Sequence, residues 1–231
     1  MQNGTRLILG VFGVALVSIV GASCGNSASS EVMQNVSMTH EDLLAVKYVA
    51  YADSTGTPAV SRAQAQANLD QANRLFAPCK IQFTLEDYVA ANSLSYGLAY
   101  QPSELDDMDK IREDFADDST LLVTTTGTWD RSGTLGNTHA NAWTSVPGSA
   151  PFGVIVERPV GNYSNLIAHE LGHYVGLFHR SETDNLMSPI IYQTSTQVTD
   201  QQCLQAKTAI QVNWKKMLRE PALALASQSP S

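Results

Sequence analysis

His169, Glu170, His173, Gly176 and His179, spaced as HExxHxxGxxH, constrain this chain more than any other feature. His169 and His173 stand four apart, so a helix through them projects both imidazoles from one face. Imidazoles placed this way can share a Zn²⁺ at ~2.0–2.1 Å. Glu170 sits one step round the helix, off that stripe, where it can reach a water at the metal as general base. Gly176 predicts the end of the helix, because glycine takes a left-handed C-cap without steric cost. The chain then reverses and brings in His179 as third ligand. Three protein nitrogens leave the fourth position of a tetrahedral site to water, which marks a catalytic zinc rather than a structural one. At ordinary residue usage the full pattern arises by accident in about one chain of this length in 10⁵. Three of the five histidines fall inside it.

A second signal follows in Asp184-Asn185-Leu186-Met187-Ser188-Pro189, a polar, proline-bounded turn with its methionine eight residues after His179. The long zinc motif together with this turn resembles the metzincin metallopeptidases. The resemblance covers His169 to Pro189 and implies that Met187 lies beneath the histidines as a soft apolar base without binding metal. Some metzincins carry a tyrosine two residues after that methionine as an extra ligand. Pro189 stands there, and Tyr192 lies too far along for the role. The site is therefore similar to the matrixin, reprolysin or pappalysin type.

The resemblance also implies a fold: an α/β (α+β) domain with a twisted five-stranded mixed sheet, one antiparallel edge strand, an active-site helix and a small C-terminal subdomain after the Met-turn. It places Thr138–Trp143 at the edge bordering the cleft, with Trp143 and His139 as candidate lining residues against a simple edge-strand aromatic and loop histidine. Ile190 and Tyr192 are candidates for the wall of a substrate pocket, against plain packing under the turn. Asp106, Asp107, Asp109, Asp117 and Asp118 could bind Ca²⁺, as in some metzincins. No loop with EF-hand spacing supports that, and a solvated helix face is the simpler reading.

Alternation along the chain gives an independent outline. Strands are expected at Lys47–Ala52, Lys80–Leu85, Thr120–Thr126, Thr138–Thr144 and Gly153–Glu157. Helices are expected at Ser61–Phe76 and Ser103–Phe115, each capped by its serine, and at Thr199–Met217. Strands alternating with helices imply a mainly parallel sheet.

The N-terminus carries Arg6 and an apolar run from Leu7 to Val20, too short for a mature membrane span and typical of a secretory signal. Small residues then lead to Cys24, as at lipoprotein processing sites, although Gly21 stands where leucine is usual. The organisation expected is a signal peptide over 1–23, a tether over 24–40, a catalytic domain over 41–220 and a flexible tail over 221–231. Lipidation of Cys24 and ordinary cleavage to a soluble secreted protein both remain open. With Cys24 lipidated, Cys79 and Cys203 are an even pair in an oxidising setting, and a disulfide is expected over two buried thiols.

Fourteen basic and 22 acidic residues give a net charge of −8 with no basic cluster, which argues against nucleic-acid binding. The expected function is a monomeric, exported zinc endopeptidase acting on protein or peptide substrates, touching membrane only through a lipid anchor. Two rivals stand beside it: an envelope binding lipoprotein with a vestigial zinc site, and a zinc hydrolase of cell-wall amides. The intact Glu170 counts against the first.

Overall fold

A computed structural model describes Met38 and residues 40–220, except 148, 149 and 159. The apolar leader, Cys24 and its tether up to residue 37, and the tail over 221–231 lie outside the described residues. Within them no helix is long and apolar enough to cross a membrane.

The sheet grows outward from strand β1, Asp42–Tyr51, in which all residues but Lys47 are buried. A strand covered on both faces must be apolar almost throughout, and its side chains alternate between two cores. Leu44, Val46, Tyr48 and Ala50 enter one core, while Val49 and Tyr51 enter the other. β2 (Ile81–Ala91), β3 (Leu121–Thr126), β4 (Ala142–Thr144) and β5 (Val154–Glu157) complete the order β2-β1-β3-β5-β4. All pairings in that series are parallel except β4 with β5. The short segment β6, Leu218–Arg219, adds antiparallel to Leu43 and Leu44 and was not anticipated from sequence.

Helix α1, Arg62–Phe76, starts where expected. The Ser61 hydroxyl accepts from the Gln64 amide at 3.2 Å, and the Gln64 side chain accepts from the Ser61 amide at 2.8 Å, a reciprocal cap. Thr199 and Gln202 repeat this cap for α4, Asp200–Asn213, which stops before the expected Met217. For α2, Leu105–Phe115, the cap falls at Glu104 rather than Ser103. Asp107 accepts from both their amides at 3.1 Å, drawing the first turn one residue onward. Helix α3, Ser164–Tyr174, carries the histidine motif and is buried from Asn165 to its end.

The core that holds α1, α3 and part of α4 lies on one face of the sheet, and α2 packs on the other. The first is the near face and the second the far face. A Cys79–Cys203 disulfide ties the turn after α1 to α4, as expected, across a separation of 124 residues. Lys207 of α4, itself buried, donates to Asp42 at 2.7 Å and to the His40 carbonyl at 2.7 Å. That pairing explains how an aspartate opens a buried strand, and why β1 begins five residues before the expected Lys47.

Candidate metal centre

Helix α3 is set by its neighbours before its histidines matter. Asn68 of α1 donates to the Gly161 carbonyl at 2.9 Å and accepts from the Ser164 hydroxyl at 2.9 Å, fixing where the helix begins. At the other end Gly176 has φ +89°. A Cβ there would also come within 2.9 Å of Ala209 Cβ on α4, so glycine is required for both conformation and space. The Leu177 amide returns to the Gly172 carbonyl at 2.8 Å, and the chain reverses toward His179.

The three imidazoles then converge. Their ring centroids lie 4.7, 4.8 and 5.3 Å apart, and one nitrogen from each falls within 4.8 Å of the others. His169 Nδ1 meets the Leu186 carbonyl at 2.7 Å, and His173 Nδ1 meets the Leu177 carbonyl at 2.8 Å. A carbonyl only accepts, so each Nδ1 must carry the proton and each Nε2 presents its lone pair inward. His169 Nε2 is buried without a partner. His173 Nε2 and His179 Nε2 face one another at 3.2 Å. A tetrahedral zinc at ~2.0–2.1 Å separates its nitrogens by roughly 3.3 Å. The donor set therefore fits zinc: neutral imidazoles with an orphaned nitrogen, two of them backed by a carbonyl as metal-ligating histidines usually are. Burial lowers the pKa of all three, with mutual repulsion adding to the effect for His169 and His173, and takes His173 to about 4. They thus stay neutral, as ligands must.

Glu170 is fully buried beside them. Burial pushes its pKa up to about 7, opposed by the Thr144 hydroxyl and the Arg112 charge. Thr144 donates to Oε2, while Oε1 has no partner. A carboxylate of this kind can take a proton near neutral pH.

The matrixin family model matches residues 47–208. This chain belongs to the matrixin family. The matrixins are a family of metzincin-type zinc metallopeptidases. Among curated proteins none matches the sequence. Of solved structures, metalloproteinase-II from Bacteroides fragilis is similar at 12% identity and a TM-score of 0.49, covering 79% of this chain and 60% of its own. A chaperone–substrate complex is similar at 14% identity and a TM-score of 0.51, covering 77% of this chain and 34% of its own. This matrixin thus spans less than two thirds of either neighbour.

The turn that carries Met187 packs against α3. Met187 is buried under α3, and a Cβ on Gly172 would meet its Sδ at 2.5 Å. Asn185 and Gln202 exchange amide hydrogen bonds of 2.9 and 3.0 Å and bind the turn to α4. Sequence reasoning missed Gly172, although a glycine inside a helix is itself a sign of close approach.

The lining residues fare differently. Trp143 packs into the far-face core beside Ile155, so the structure does not bring it to the histidines. On β4 the near-face positions are Ala142 and Thr144, since alternate residues face opposite ways. His139 is exposed, with φ +54°, at the end of a short 3₁₀ turn, and β4 starts only at Ala142. Ile190 is half-buried and Tyr192 exposed, while Ile191 between them enters the core. The aspartates do not converge: Asp107 caps α2, Asp109 pairs with Arg112, Asp117 holds the Ser119–Thr120 turn, Asp118 pairs with Lys216, and Asp106 is exposed.

Proposed function

We propose that this matrixin is a zinc-dependent endopeptidase with Glu170 as general base. His169, His173 and His179 would hold one zinc ion. Bound there, zinc supplies a Lewis acid that acidifies a water and polarises the scissile carbonyl. Glu170 accepts the water's proton through its unpartnered Oε1 and returns it to the leaving amine, so one carboxylate serves as base and then as acid. Thr144 keeps the other oxygen still while this happens.

What carries this reading is the commitment of two Nδ1 protons to backbone carbonyls, which leaves the Nε2 lone pairs aimed at one point. The experiment is digestion of a peptide library by purified protein with zinc, with chelator, and with zinc restored. Internal cleavage that stops with chelator and returns with zinc is expected. A protein that binds zinc one to one yet cleaves no peptide overturns it, and release of cell-wall fragments in a parallel assay would favour an amidase. We also infer export and lipid anchoring at Cys24, supported by the Leu7–Val20 run and by a disulfide suited to an oxidising compartment. Mass spectrometry of the membrane fraction should find a diacylglyceryl-cysteine at Cys24, and an unmodified terminus elsewhere contradicts it.

A further inference from the structure

Resting on Glu170 as general base, we propose that Arg112 and Thr144 are positioning residues for it: Arg112 locks the end of edge strand β4, and the Thr144 hydroxyl on that strand orients the carboxylate. Arg112 belongs to α2 on the far face, yet its side chain is 1% exposed. Its Nη2 donates to the Trp143 carbonyl at 2.8 Å and its Nε to the Gly153 carbonyl at 3.1 Å. Nη1 meets Asp109 at 3.0 Å.

Those two carbonyls bracket the turn between β4 and β5. β4 has three residues and, among the described residues, a single strand partner, so its ladder alone holds it weakly. The guanidinium fork clamps the place where it ends, one residue before Thr144 completes the strand. Strand alternation then does the rest. Trp143 points to the far face, so Thr144 points to the near face over α3, and its hydroxyl donates to Glu170 Oε2. That bond leaves only Oε1 unpartnered. Arg112 and Glu170 also attract one another electrostatically through this layer. A lysine could not reproduce the arrangement, because a point charge cannot reach three acceptors in one plane. Valine at 144 would keep the shape of threonine and lose the hydrogen bond.

The test compares Thr144→Val, Thr144→Ser and Arg112→Lys in the full zinc-loaded chain. Zinc content should stay at one per chain. In Thr144→Val kcat should fall about 10- to 100-fold, the usual scale for losing an orienting partner, with KM little changed. Thr144→Ser should restore kcat, because it restores the hydroxyl. Arg112→Lys should lower kcat in the same pattern.

A second readout needs no turnover. Carboxyl ¹³C NMR of glutamate-labelled protein, with the Glu170 signal assigned by its loss in Glu170→Gln, should show that signal displaced in Thr144→Val and Arg112→Lys and restored in Thr144→Ser. An unmoved Glu170 signal overturns the proposal, as does a fall in kcat that serine does not rescue. If Arg112→Lys does not fold, Asp109→Asn loosens the guanidinium from the exposed side and should move the same signal by less; no movement there overturns the role of Arg112. A wild-type chain that binds zinc but cleaves nothing defeats the endopeptidase reading alone, since the NMR arm still decides the contact.

Discussion

The three histidines come from one short stretch, and two of them are oriented by carbonyls further along the same chain segment, His173 by Leu177 four residues on and His169 by Leu186 17 residues on. Glu170 stands in the same stretch, yet its partners are Thr144 on an edge strand and, behind it, Arg112 on a helix across the sheet. The proposed metal arm is thus the more local in sequence, all of it following His169, while the proposed base arm reaches back to earlier elements. Local geometry is dictated by helix periodicity and one glycine, so a motif can encode it. Orientation from distant strands depends on register and on which face a residue occupies, which no short motif carries.

Breaking the local arm should have the largest effect. His173→Ala leaves two imidazoles, and the protein should lose both its zinc and all measurable turnover, read by metal analysis beside peptidase rate. Retained zinc would show that the arm is less local than it looks. Removing the Cys79–Cys203 bridge with paired serines tests whether the scaffold, rather than the motif, sets the site. In the chain-entropy model a loop of this size contributes roughly 4–5 kcal/mol to stability. Denaturant unfolding should show most of that loss, with zinc content kept below the transition.

Gly172→Ala sharpens the comparison from within the helix. Its methyl group would overlap Met187 Sδ, and overpacking of this sort costs about 1–3 kcal/mol, measurable as a lower unfolding midpoint with weaker zinc binding. An unchanged midpoint would mean that the Met-turn yields freely. Met187→Leu should have the smallest effect, under about 1.5 kcal/mol with activity kept, because it conserves volume and the methionine only packs. A large loss of zinc there would assign the sulfur a role beyond packing.

The same division explains what the sequence revealed. The convergence of the three histidines, the packing of Met187, one of the two proposed serine caps and the disulfide were legible because each rests on spacing, capping chemistry or cysteine parity. Trp143 was a candidate for the cleft because the resemblance placed its strand at the cleft edge, and its packing in the far-face core fits the plainer reading of an edge-strand aromatic. The parity of a three-residue strand cannot be read without its partner, and that parity selects Thr144. Arg112 was invisible for a similar reason: within an acidic helix it reads as a surface cation. Only the carbonyls at Trp143 and Gly153 show why it is buried. β2 runs on to Ala91 past the expected Leu85, with a register shift between Val46 and Lys47 that passes over Glu86 and lets Asp87 to Ala91 keep pairing with β1.

The central claim, that three histidines hold the metal and Glu170 moves the proton, is tested most directly by Glu170→Ala with zinc content and peptidase rate measured on the same sample. The account predicts one zinc per chain, as in the wild type, with turnover reduced by ~10²–10⁴-fold or more, the scale of general-base catalysis. Undiminished turnover with zinc in place would contradict it.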